Sequence, residues 1–128
     1  MLARLINPKI DALMEKDRIV IIAGQRQVGK TQELKRLLAK DKDALYFDFE
    51  DSSYRDLFKD ASLAKLSQII GKRKTVLFDE IHKLYNCGST LKLIHDHFPD
   101  VRVVASGSAS FLLLKNIGDS LYGRKRVV

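Results

Sequence analysis

The most continuous apolar stretch of the chain is "RIVIIAG", where Ile19, Val20, Ile21 and Ile22 follow one another without a polar interruption. Four β-branched residues in a row, closed by a glycine, predict a strand buried on both faces. From Lys30 onward the period changes: Leu34, Leu37 and Leu38 fall on one side of a helix running to about Lys40. "ALYFDF" at 44–49 reads as a second strand. Ser53, followed three residues later by Asp56, resembles a capping box, and Tyr54, Leu57, Phe58 and Ala61 continue it as an apolar helical face. Leu63, Leu66, Ile69 and Ile70 form another helical piece that ends near Gly71. "TVLFDE" at 75–80 is a third strand, closing on two acids; Leu91, Ile94 and Phe98 space out as a helix before Pro99; "VRVVASG" at 101–107 is a fourth strand.

The two ends carry weaker patterns. A first helix starts at Asn7, with Pro8 in its first turn, where a missing N–H costs nothing, and with Ile10, Leu13 and Met14 on one side. Residues 109–128 read as a short helix plus a loop. Strands alternating with helices predict an open, mostly parallel α/β sheet with its ligand beyond the carboxyl ends of the strands. Residues 24–31, the pair Asp79 and Glu80, and residues 106–108 each directly follow a strand, so the polar positions of interest converge on that edge.

Composition sets the frame without choosing a function. A chain of 128 residues, 45% apolar and 30% charged, suits one packed domain. No apolar run approaches a membrane span, and charges interrupt the first residues, so a cytoplasmic location is expected. Cys87 is the single cysteine, which rules out an internal disulfide. The net charge of +7 favours anionic partners. It is spread along the chain, with compact runs only at 72–74 and 124–126, and a short basic run on a solvated face explains it as well as a nucleic-acid partner does.

The sharper chemistry lies in "GQRQVGKT". Gly24, Gln25, Arg26, Gln27, Val28, Gly29, Lys30 and Thr31 match the glycine, four residues, Gly-Lys-Thr loop, whose backbone N–H groups wrap phosphates ahead of a helix N-terminus. The two glycines permit the turns, Lys30 reaches the β- and γ-phosphates, and Thr31 sets a hydroxyl on Mg²⁺. Asp79, at the tip of a buried strand, needs a partner, and Mg²⁺ held through its water shell supplies one. Glu80, pointing to the other side of the strand end, is placed to activate water for attack on the γ-phosphate. The blander alternative is that both acids only cap the turn. His82 reads as structural or solvated more readily than as a γ-phosphate sensor. Ser106 and Ser108 could bond a γ-phosphate or simply make a turn, and Arg124 could stabilise charge on the transferring phosphate or be one more surface cation.

Taken together and in this order, "GQRQVGKT", "LYFDFED", "VLFDEIHKL", "VVASGSAS" and "LYGR" resemble one group of the AAA+ superfamily. These are prokaryotic ATPases with an N-terminal P-loop domain, usually followed by a C-terminal domain with a nuclease-like fold. The resemblance runs from about Arg18 to Arg124. It implies a three-layer α/β P-loop NTPase of the AAA type in which residues 24–31 form the Walker A loop. Asp79 and Glu80 correspond to Walker B with its catalytic glutamate, Ser106 and Ser108 to the polar sensor region, and Arg124 to the family's Gly-Arg motif. The acidic "DFED" at 48–51 also matches, with no role attached. ATP with Mg²⁺ is the implied cofactor pair, and the sensor strand is expected between the strands that carry the two Walker motifs.

Family members continue past the Gly-Arg motif into a fifth strand, a helical lid and the C-terminal domain, whereas this chain stops at "RKRVV", where that strand is only starting. The expectation is therefore a sheet incomplete at its C-terminal end. The Walker A strand would lie at an open edge that invites pairing with another copy. Three functions compete at this stage: an ATPase that turns hydrolysis into a conformational change, a nucleotide-dependent switch with little hydrolysis, and a small-molecule kinase. Glu80 favours the first, and no acceptor site or lid arginines speak for the third.

Overall fold

A computed structural model describes residues 19–23, 27–108 and 125–127, with the backbone alone for residues 23, 27–30 and 125–127. The expected N-terminal helix, the segment after Ser108 up to Arg124, and Gly24, Gln25 and Arg26 lie outside the described residues.

The strands are β1 (Ile19–Ala23), β2 (Leu45–Asp48), β3 (Thr75–Asp79), β4 (Arg102–Gly107) and β5 (Lys125–Val127). Between them lie the helices α1 (Gln27–Lys40), α2 (Ser52–Phe58), α3 (Leu63–Ile70) and α4 (Cys87–His97), and a 3-10 turn at Ile81–Lys83. The sheet runs β2-β3-β4-β1-β5, with every strand pair parallel. The strand after α4 thus inserts between β1 and β3, as the resemblance implies.

The strands β1 to β4 alternate their side chains between two cores. Ile19, Ile21, Phe47, Val76, Phe78, Val103 and Ala105 face a layer supplied by α2, α3 and α4 through Phe58, Leu66, Ile70, Leu91 and Ile94. Val20, Ile22, Leu77 and Val104 face α1 through Leu34 and Leu37, with Tyr46 packed at the margin. Helices on both faces of the sheet make the three layers. They also explain why β1 and β3 carry no polar alternation, since neither face of either strand meets water.

Two expectations are corrected. Lys125–Val127 pair with Ile19, Val20 and Ile21, so β1 has a neighbour on each side and is not an edge strand. The fifth strand, expected only to be starting where the sequence stops, contributes three residues, and they pair with three of the five residues of β1. The reason for expecting β1 to pair with another copy, an open edge, therefore does not hold for residues 19–21. The cap of α2 also lies two residues earlier than expected: Asp51 is extended and accepts the Ser53 N–H, so the helix begins at Ser52 and no Ser53–Asp56 box forms. Among the described residues no helix is long and apolar enough to cross a membrane.

Candidate functional site

The alternation that builds the core also builds the site. On the α1 face, Leu77 is followed by Asp79 two residues on, Val104 by Ser106, and Tyr46 by Asp48, because side chains two apart share a face. Register then sets neighbours: Tyr46 pairs with Leu77, Asp48 with Asp79, and Ala105 with Phe78. At the carboxyl end of the three strands Asp79 therefore lies between a tyrosine on one flank and a serine on the other.

Both oxygens of Asp79 are engaged. Ser106 donates its hydroxyl to Oδ1 at 2.6 Å, and Tyr46 donates its phenol to Oδ2 at 2.6 Å. These are lengths expected of O–H groups bonded to a carboxylate. Asp79 is 2% exposed and Ser106 is fully buried, so the two hydroxyls replace water that the carboxylate has lost. Burial first, then the bond to Asp79 and the charges of Asp79, Asp48 and Glu80, push the Tyr46 phenol far above its ordinary value of 10.0, and it stays a donor.

Glu80 follows in an unusual backbone state, with φ 55° and ψ 49°. It is the single non-glycine residue with positive φ among those described. Its N–H donates to Ser106 Oγ at 3.0 Å, and its side chain is buried. The chain has to turn out of β3 at this point into the 3-10 turn, and the left-handed residue makes that turn while keeping a carboxylate inside the protein. His82, in the turn, accepts the Ser108 N–H on Nδ1 at 3.0 Å, with Glu80 Oε1 3.4 Å from the same nitrogen. With Nδ1 accepting the Ser108 N–H, a neutral ring carries its proton on Nε2. His82 thus ties the turn after β3 to the end of β4.

The acidic segment at 48–51 is pinned against the same edge. The Phe49 N–H donates to the Asp79 carbonyl at 2.9 Å. Arg55 donates to the carbonyls of Phe49 and Glu50, and Glu50 is 3.2 Å from the Lys83 ammonium.

The other sequence-derived candidates divide by location. Gln27, Val28, Gly29 and Lys30 form the first turn of α1, and the helix begins three residues before the expected Lys30. Thr31 is half-buried in the next turn. Ser108 is half-buried just past β4, with its N–H given to His82. Gly24, Gln25, Arg26 and Arg124 lie outside the described residues. Two features escaped the sequence reading. Tyr46 could have been suspected, since a tyrosine in a half-buried strand usually finds a partner for its hydroxyl. Glu33 is 1% exposed in the middle of α1 and is held by Arg36 at 2.6 Å, a spacing of three that marks a helical ion pair.

A parallel sheet of this order between two helical layers, with a glycine loop running from β1 into α1 and a clamped aspartate on β3, is the architecture of an AAA-type P-loop NTPase. Residues 16–128 match the AAA domain family, and the chain belongs to it. It is also 32% identical over 126 residues to an uncharacterized protein of Methanocaldococcus jannaschii, in an alignment covering 95% of this chain and 28% of that protein. The chain therefore spans less than a third of this relative's length.

Proposed function

We propose that this domain binds MgATP at the carboxyl ends of β1, β4 and β3 and, in a full-length context, hydrolyses it to drive a conformational change. The observation that carries the reading is the buried Asp79–Glu80 pair, oriented by Ser106, at the strand tips beyond which a parallel sheet places its ligand. By their sequence pattern, residues 24–31 would hold the phosphates through backbone N–H groups, and Lys30 would supply charge to the β- and γ-phosphates. Asp79 and Thr31 would suit a magnesium ion by donor chemistry: a hydroxyl is a hard oxygen ligand that it takes, and a carboxylate would hold it through its water shell. When bound, the metal neutralises charge on the phosphates.

Glu80 is assigned as the base that orients and deprotonates the attacking water, and its buried, turned-in carboxylate is the group best suited to that task. Ser106 serves differently from the phosphate sensor that the sequence suggested. Its hydroxyl donates to Asp79 and accepts from the Glu80 N–H, so it sets both acids at once. Ser108 and Arg124 remain assigned to the γ-phosphate side.

Calorimetric titration of the purified chain with MgATP, with phosphate release followed in the same samples, tests the reading. Binding is expected in the wild type and lost in Lys30→Ala. Glu80→Gln is expected to keep the affinity within about threefold and to lose phosphate release by roughly two orders of magnitude or more. Binding that survives Lys30→Ala would overturn the assignment of the loop. Binding without any release in the wild type would favour the switch reading over the ATPase.

A further inference from the structure

We propose that Tyr46 is a positioning residue for the metal-binding aspartate: its hydroxyl, with that of Ser106, fixes the Asp79 carboxylate so that it can receive the magnesium that accompanies the nucleotide. The inference rests on the reading of Asp79 above. It concerns a residue on the outermost described strand next to β3, to which no phosphate or metal role attaches by sequence motif.

The argument is geometric. A carboxylate at a strand tip turns about two side-chain bonds, and one hydrogen bond leaves one of those turns open. Tyr46 comes from β2 and Ser106 from β4, the strands on either side of β3, so the two donors grip Oδ2 and Oδ1 from opposite flanks. With both oxygens held at 2.6 Å the plane of the carboxylate is set. Each oxygen accepts from a hydroxyl with one of its lone pairs, and the other stays directed toward a further donor or a cation. The Ser106 hydroxyl passes the constraint on to the Glu80 N–H at 3.0 Å. A row of bonds from Tyr46 through Asp79 and Ser106 to the Glu80 backbone therefore crosses three strands, and Tyr46 is its outer anchor.

The Tyr46 ring packs at the margin of the α1-face core. Tyr46→Phe keeps that packing and removes only the donor. Groups that hold a metal-ligating side chain in place are commonly worth roughly 10- to 100-fold in metal affinity.

The test measures ATP affinity calorimetrically with Mg²⁺ and again in EDTA, for the wild type, Lys30→Ala and Tyr46→Phe, together with thermal unfolding without ligand. The expected result is that Tyr46→Phe binds ATP in EDTA like the wild type and unfolds at a similar temperature, while the gain in affinity conferred by Mg²⁺ shrinks about tenfold or more. A full Mg²⁺ gain in Tyr46→Phe overturns the inference and leaves the reading of the site intact. Parallel loss of both affinities with a lowered unfolding temperature also overturns it, since that marks a structural role alone. Wild-type protein that takes up no nucleotide, or takes it up equally in Lys30→Ala, overturns the parent reading and the inference together.

Discussion

At the scale of single residues, Ser106 carries more than its size suggests. Its hydroxyl hydrogen goes to Asp79 Oδ1 and its oxygen accepts the Glu80 N–H, all out of contact with water. Removing the hydroxyl leaves a buried carboxylate oxygen and a buried amide each short of a partner, and each such loss costs about 1–3 kcal/mol. Ser106→Ala is therefore expected to lower the unfolding free energy by about 2–6 kcal/mol in urea titrations. A change under about 0.5 kcal/mol, ordinary for a surface serine, would show that these bonds do not hold the acids. The left-handed backbone of Glu80 belongs to the same economy. An L-residue pays about 1–2 kcal/mol for that conformation, and such outliers cluster where function over-determines geometry. The identities of Asp79 and Glu80 were legible because two adjacent acids close an apolar strand. The clamp on them was not, because Tyr46 and Ser106 lie 33 and 27 residues from Asp79 and meet it only through strand register.

At the scale of elements, helix ends test how local chemistry selects structure. Gly71, just past α3, sits at φ 58° and ψ −126° with its N–H bonded to the Ser67 carbonyl, and a Cβ there would meet nothing within 4 Å. The cost of Gly71→Ala is therefore conformational alone, about 1–3 kcal/mol, and chemical denaturation would measure it. No measurable loss would mean that the turn relaxes to another conformation. This end was readable, because glycine is the residue that tolerates positive φ after a helix. The start of α2 was misread for a related reason. "EDSSYRD" holds two capping signals, and Asp51 wins over Ser53 because its carboxylate accepts both the Ser53 N–H and the Ser53 hydroxyl.

Those two bonds, the side-chain one first, hold the Asp51 carboxyl below its ordinary value of 3.8. A lowered folded-state value adds stability that is complete above the unfolded value and disappears as pH falls through the folded one. Wild type should therefore exceed Asp51→Ala in thermal midpoint at neutral pH, with the gap closing below about pH 4. A gap that persists at pH 2 would show that the charge of the cap is not what matters.

At the scale of the whole molecule, the order of the strands is what brings the candidate residues of separate strands to one edge. β4 enters between β1 and β3, which brings Ser106 beside Asp79 and sets the start of α1 at the same edge of the sheet. Alternating strand and helix patterns made the class of fold legible. The covered edge of β1 was not, because three residues give no periodicity of their own and pair with a strand about a hundred positions earlier.

A ligand that binds only the assembled edge must stabilise the entire sheet, since none of its contacts exists in the unfolded chain. At a free concentration of about 100 times Kd the gain is about 2.7 kcal/mol. For a domain of this size that amounts to a rise in Tm on the order of 10 °C. MgATP should produce that rise in the wild type, ATP in EDTA a smaller one, and Lys30→Ala none with either. Equal shifts in wild type and Lys30→Ala would place the nucleotide away from the loop between β1 and α1. A shift with MgATP no larger than in EDTA would remove Asp79 from the metal, because an aspartate clamped from two strands has no other reason to couple metal binding to the stability of the fold.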